Sequence, residues 1–297
     1  MGCGTQEPIV LGRGLSRGVL DRATHLRADP AWLEDAWPTA RVLVVDGDRA
    51  LATADPLTLL LVPAAQAPAG DRLFLGLDPA GVPCFAVAAP LPEQPDAAPI
   101  SLRTSGHELS DVDADLFTTA VALTGWHTGA GFDPRTGEET VPADGGWVRS
   151  TAGGRTIWPR TDPAMIVLVH DGVPGPDGRC LLAHKPEWPA NRYSCLAGYV
   201  DPGESVESTV VRECVEEVGV AVHDIQYVTS QPWPFPRSLM LAYTALADPT
   251  DPITVDGVEI AEARWFRRGD FDTPAAPALP FPTSVAYFLI TTWLAEQ

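Results

Sequence analysis

Residues 198–220 read Gly198-Tyr-Val-Asp-Pro-Gly-Glu204-Ser-Val-Glu-Ser-Thr-Val-Val-Arg212-Glu213-Cys-Val-Glu216-Glu217-Val-Gly219-Val220. They fit G-x5-E-x7-R-E-U-x-E-E-x-G-U at every fixed position, with Cys214 and Val220 at the apolar U sites. Ser205 suits a helix N-cap, Glu207 the positive first turn, and Gly219 the helix end. At about 100° per residue, Val211, Cys214, Val215 and Val218 share one face, and Glu213, Glu216 and Glu217 lie opposite. Three carboxylates so close repel one another until something neutralises them. A hard divalent cation such as Mg2+ or Mn2+, which prefers oxygen ligands, would do so. Glu204 lies one loop earlier and can join the cluster, and Arg212 is placed to hold one carboxylate in a fixed orientation. A bare E-x-x-E-E reads as a solvated acidic helix face; nine defined positions in 23 residues argue for chemistry instead.

The chain has 297 residues, enough for two domains and a sizeable core. Hydrophobic residues at 45% and charged residues at 20% describe a soluble globular protein. No apolar run approaches the roughly 20 residues that span a bilayer, and the start, Met-Gly-Cys-Gly-Thr-Gln, lacks an apolar signal-peptide core. Cys3, Cys84, Cys180, Cys195 and Cys214 are odd in number and scattered, which suits free thiols in a reducing compartment, the cytoplasm by default. Cys3 reads as a free thiol in a tail. A net charge of −19 repels long polyanions, so general nucleic-acid binding is not expected. A small phosphorylated substrate, or one end of an RNA, is compatible with it once a bound metal reverses the local field.

Three regions follow from the patterning: residues 1–123, 124–159 and 160–297. In the first, 41–46, 57–62, 72–77 and 84–88 read as strands of a small mixed or antiparallel sheet, and Asp111 to Leu123 as a helix with Leu116, Phe117, Ala120 and Leu123 inward. It carries no catalytic motif and reads as a dimerisation or substrate-shaping platform. The second, rich in Gly, Thr and charge, reads as a connector. In the third, 164–169 and 180–185 form a hairpin around the Pro/Gly turn at 174–178. Strands at 196–200, 225–229 and 239–246 and a helix at 284–295 follow. Strands around one acidic helix, with a terminal helix, suit an α/β/α sandwich preceded by a smaller mixed-sheet domain. No internal repeat is visible.

About ten residues beyond the acidic helix stands Ser230-Gln231-Pro232-Trp233-Pro234-Phe235-Pro236-Arg237-Ser238. Alternating prolines stiffen the backbone, so Trp233 and Phe235 project from a stiff loop and can stack on a flat base. Taken alone, it reads equally as a polyproline ligand or a plain rigid loop. The two motifs together resemble the Nudix hydrolases: residues 198–220 resemble the Nudix box, and S-Q-P-W-P-F-P-x-S resembles the signature of their NADH pyrophosphatase branch. The resemblance is good over 162–286 and covers the N-terminal region only in general organisation. It implies an α/β (α+β) chain ending in a Nudix α/β/α sandwich. It also implies cleavage of the pyrophosphate of NAD(H) to NMN(H) and AMP with two to three Mg2+ or Mn2+ ions, a homodimer, and in some members removal of NAD caps from RNA.

Carried over position by position, the resemblance makes Glu213, Glu217, Glu259 and the carbonyl of Ala197 metal ligands. Glu262 is an alternative to Glu259. Residues Gln231, Pro232, Trp233, Pro234, Phe235, Pro236, Arg237 and Ser238 would contact the dinucleotide, with Tyr199, Trp158 and Ala286. Glu216 is the preferred general base, with Arg212, Glu213 and Glu217 completing the catalytic set. Many relatives carry a four-cysteine zinc ribbon; here its positions fall on His127, Ala130, about Ser150 and about Gly153. One histidine cannot hold structural zinc, which wants four N/S ligands. The expectation is a degenerate ribbon without zinc, held by packing through Trp126, Phe132, Trp147 and Ile157. Competing readings are a Nudix hydrolase of another nucleoside diphosphate derivative (ADP-ribose, FAD) and an inactive nucleotide-sensing Nudix domain.

Overall fold

The computed structural model describes residues 14–296, so Cys3 lies outside the described residues. In the N-terminal part, β1 (Arg41–Asp46), β2 (Arg49–Thr53), β3 (Thr58–Leu59), β4 (Leu61–Pro63), β5 (Leu73–Leu77), β6 (Pro83–Ala88) and β7 (Ala98–Ser101) form one sheet. Helices α1 (Pro30–Ala36), α2 (Leu102–Ser105) and α3 (Asp111–Gly129) accompany it. The sheet is mixed because β1 runs parallel to β6 and antiparallel to β2 and β4. The expected strand at 57–62 is split into β3 and β4, and β2 and β7 come in addition to the expected set. Helix α3 starts on Ser110, whose hydroxyl caps Asp113 N–H, and continues to Gly129, past the expected Leu123.

The C-terminal part repeats this topology. Its strands are β11 (Asp162–His170), β12 (Arg179–His184), β13 (Leu196–Tyr199), β14 (His223–Trp233), β15 (Ser238–Leu246) and β16 (Glu262–Arg267). Strand β11 pairs with β12 and β13 antiparallel and with β15 parallel; β14 flanks β15 and β16 flanks β12. Each pairing has its counterpart among β1, β2, β4, β5, β6 and β7, in the same chain order. The two parts differ between the third and fourth of these strands. Residues 200–222 carry helix α4 (Val206–Val218), whereas 64–72 carry only one short 3-10 turn. The N-terminal part is thus the same fold without the acidic helix. The repeat invisible in the sequence is present in the strand pairing.

Strand alternation explains the layers. Met165, Val167 and Val169 pack with Val210, Cys214 and Val218 of α4, while Ile166 and Leu168 pack with α5 (Val285–Ala295). In the N-terminal part, Leu43 and Val45 face α3, and Val42 and Val44 face Trp32, Leu33 and Trp37. Those residues cover the face that α4 covers in the other sheet. Each apolar side chain so buried contributes about 1.5–3 kcal/mol.

Between the two lies a three-stranded sheet of β8 (Thr140–Ala143), β9 (Val148–Thr151) and β10 (Thr156–Ile157). Of the aromatic residues expected to pack it, Trp147 lies against the N-terminal core, whereas Phe132 is 67% exposed. Arg149 donates to the carbonyl and hydroxyl of Thr140 and to His127 Nδ1. His127 Nε2 then donates to the Gly146 carbonyl at 2.8 Å. Burial, with Arg149 beside it, holds this imidazole below its ordinary pKa. Arg155 pairs with buried Asp133, and Trp147 donates to the Phe74 carbonyl, docking the sheet on the N-terminal part.

Candidate active site

Helix α4 begins on Ser205, whose hydroxyl accepts from Ser208 N–H, and ends at Gly219 with φ 72°. At that φ a glycine closes the helix without a Cβ penalty. The helix buries Thr209, Val210, Cys214, Glu217 and Val218. This corrects the expected faces: Val211 and Val215 are 41% and 50% exposed, and Glu217 is only 4% exposed. The sheet covers the flank of the wheel centred on Cys214, which takes in Val210 and turns Val211 and Val215 outward. Glu217 sits at the edge of that flank and is carried inward.

The remaining carboxylates are organised by Arg212. Its guanidinium makes two bonds to Glu204 at 2.9 Å, one to Glu213 at 2.9 Å and one to Glu216 at 3.0 Å, and it donates to the Tyr199 carbonyl. Such a planar fork fixes both the loop and the helix face. Arg212, together with Thr209 and Asp201 N–H, lowers the Glu204 carboxyl to about 2. Glu213 behaves differently: burial raises its pKa despite Arg212. Gly198 on β13 permits its approach, because a Cβ there would lie inside the Glu213 carboxylate.

Glu217 is the outlier. Burial, helped by Glu213, Glu259 and Asp256 against Lys185, pushes it up to about 8. Neither of its carboxylate oxygens has a hydrogen-bond partner. A buried acid without a donor is costly unless it is protonated or binds a cation. Glu259 sits in the loop before β16, shaped by Asp256 accepting from three successive N–H groups, and lies 3.7 Å from Lys185 Nζ. Glu262 is directed elsewhere, to Arg264 at 3.5 Å. Among the described residues no three acidic, His or Cys side chains converge on one point, because Arg212 and Lys185 hold Glu213 and Glu259. The bare oxygens of Glu217, with Glu213 and Glu259 acting on them, are of the kind a hard cation would take as ligands.

A cleft of about 510 Å³ brings the two motifs together. Ala197, Glu213 and Glu259 line one part, and Tyr199, Trp233, Phe235 and Ser238 another, with Lys185 and Met240. Ser230–Ser238 is a hairpin: Gln231, Pro232 and Trp233 belong to β14, residues 234–237 form the turn, and Ser238 opens β15. The aromatic residues therefore project from a strand end and its turn. Trp233 and Phe235 meet edge to face at 4.8 Å, and Tyr199 Oη lies 3.2 Å from Ser238 Oγ.

The other expected contacts are spread around this cleft. Gln231 is buried and donates to the Thr283 carbonyl at 3.1 Å. Arg237 pairs with Asp162 at 2.7 Å. Ala286 lines an adjoining cavity of about 260 Å³ that shares Trp233 and Met240 with the main cleft. Trp158 is 66% exposed and lines a separate hollow with Trp126, Pro236 and Arg237. Two contributors escaped the sequence reading. Arg103 of α2 places its guanidinium 4.3 Å from the Phe235 ring and 5.6 Å from Trp233. Lys185 lines the cleft and pairs with Glu259. Arg103 lies far from the motif in sequence, and Lys185 belongs to no pattern.

Residues 160–284 match the NUDIX domain family, and residues 39–126 match the NADH pyrophosphatase-like rudimentary NUDIX domain. The second match agrees with a repeated topology that lacks the acidic helix. The chain is 39% identical over 301 residues to a Mycobacterium bovis (strain BCG / Pasteur 1173P2) protein named NAD-capped RNA hydrolase NudC, covering 95% of this chain and 94% of that one. It is 40% identical over 215 residues to the mitochondrial NAD(P)H pyrophosphatase NUDT13 of Mus musculus, covering 67% and 60% of the two chains. It is 36% identical over 204 residues to NAD-capped RNA hydrolase NUDT12 of Macaca fascicularis, covering 63% and 43%. With both halves matched and the box helix set beside the Trp233 hairpin, the chain belongs to the NADH pyrophosphatase branch of the Nudix hydrolase superfamily.

Proposed function

We propose that this protein hydrolyses the pyrophosphate of NAD(H) to NMN(H) and AMP, and that it also removes NAD caps from RNA. The observation that carries the reading is the bare, buried Glu217 carboxylate, which feels the charges of Glu213 and Glu259, two residues of a cleft that the aromatic hairpin also lines. The names of the relatives support the substrate class. Glu213, Glu217, Glu259 and the carbonyl of Ala197 would hold about two or three Mg2+ or Mn2+ ions, whose role is to neutralise phosphate charge and lower the pKa of bound water.

The chain's own groups then have distinct tasks. Trp233 and Phe235 present aromatic surface to a base or nicotinamide ring. Lys185 offers a positive charge to the phosphates, and Arg212 keeps the loop and helix face in register. Water attacks one phosphorus, the bridging P–O bond breaks, and the bridging oxygen leaves with the other phosphate. Glu216, solvent-open and bound to Arg212, is our assignment for the group accepting the water's proton.

The exposed connector residues Phe132, Trp158 and Val141 are the surface we assign to a homodimer contact. The four described cysteines are free thiols, which supports a cytoplasmic setting, and among the described residues no helix is long and apolar enough to cross a membrane. We assign no structural zinc to the connector. The test is a substrate panel of NADH, NAD+, ADP-ribose, FAD and NAD-capped RNA with Mg2+ or Mn2+, with products read by mass spectrometry. NADH or NAD-capped RNA should give the highest kcat/KM; preference for ADP-ribose or FAD would transfer the assignment to another nucleoside diphosphate derivative.

A further inference from the structure

A second cavity, of about 540 Å³, shares Trp233 and Ser238 with the carboxylate cleft but none of its glutamates. Arg17, Arg22, Arg27, Arg160 and Arg237 line it, five of the 20 basic residues in a chain of net charge −19. Three carboxylates pair with this group: Asp111 with Arg17, Asp115 with Arg22, and Asp162 with both Arg160 and Arg237. Arg27 forms no ion pair among the described residues. Its guanidinium stacks 3.5 Å from the Trp147 ring centroid, and its Nε donates to the Arg22 carbonyl. Burial and the like charge of Arg22 hold its pKa below the ordinary arginine value.

An arginine without an acid, at the wall of a cavity that four further arginines line, is satisfied by a phosphate group, which brings several acceptor oxygens. Trp147 and Trp233 add aromatic surface to which a base can be applied.

We propose that this cavity is an anion site for the phosphate of a nucleotide, distinct from the hydrolytic cleft. Two sources share that chemistry. One is a free nucleotide binding beside the cleft. The other is the phosphodiester chain of an RNA whose capped end lies in the cleft, and this second source rests on the function proposed above.

The experiment is isothermal titration of the full chain in EDTA with ATP and, separately, with a 5′-phosphorylated RNA hexanucleotide. The parent is compared with Arg27→Gln and Arg160→Gln. The reading is of binding alone, so it stands whether or not the cleft hydrolyses NADH. At least one probe should bind the parent, with affinity falling as salt rises. Both variants should weaken it, Arg27→Gln by about tenfold or more. The Arg160 side chain is 73% exposed, so Arg160→Gln retains the fold and its loss of binding is informative even if Arg27→Gln is unstable. Preference for ATP identifies a free nucleotide, and preference for the hexanucleotide identifies the RNA chain. Absence of binding by both probes, or equal affinity in the parent and Arg160→Gln, overturns the proposal.

Discussion

Replacing Glu217 by Gln keeps the shape of the side chain and removes its charge. The folded carboxyl is held at about 8, against an ordinary 4.5. Between those values the folded chain keeps a proton that the unfolded chain has released. Stability therefore falls as pH rises through this window, and the ionised group costs the metal-free fold at most about 5 kcal/mol by pH 8. Glutamine stays neutral and escapes this cost. Urea unfolding in EDTA should show the parent losing stability relative to Glu217→Gln by several kcal/mol between about pH 5 and about pH 8. Saturating Mg2+ should close the gap at the higher pH, since an ion that binds only the folded parent stabilises it by mass action. A difference that does not change with pH would refute the reasoning about this buried acid, and a gap untouched by Mg2+ or Mn2+ would remove Glu217 from the proposed ligands.

Gly198→Ala should place a methyl group inside the Glu213 carboxylate and lower kcat about a hundredfold, since small displacements of a reacting group cost about that much; unchanged kcat would show that Glu213 need not sit there. Trp233→Ala should raise KM for NADH about ten- to a hundredfold, as expected for a lost stacking surface, with kcat changing less; an unaltered KM would take Trp233 out of the substrate site. Elemental analysis of the purified chain should find less than stoichiometric zinc; one tightly bound zinc per chain would contradict a connector held by Arg149, His127 and the Arg155–Asp133 pair.

The helix 206–218 could be read from the sequence because its signals are local: a capping Ser205, a terminal Gly219 and a regular apolar period. Its orientation could not. A helical wheel gives the period but not which flank the sheet will cover, and a shift of one position turns Val211 and Val215 outward and Glu217 inward. Strand β2 carries little strand signal because Arg-Ala-Leu-Ala-Thr is short and weakly apolar, although three of its five residues are buried. The kinship of the two sheets lies in strand pairing, which no motif marks once the acidic helix is absent from 64–72. Arg103 belongs to the same class of hidden features, since only the packing of the N-terminal part on the Trp233 hairpin brings it to Phe235. In the connector, Trp147 packs on the N-terminal core as its aromatic character suggests, while Phe132 is exposed and the polar ring of Arg149, Thr140 and His127 is visible only in the structure.

The most direct test is product analysis of NADH incubated with the protein and Mg2+ or Mn2+ in 18O-labelled water. The account predicts NMNH and AMP in equal amounts, with one labelled oxygen on one of the two monophosphates, and no turnover by Glu217→Gln. Intact NADH, release of free nicotinamide, or full activity in Glu217→Gln would contradict it.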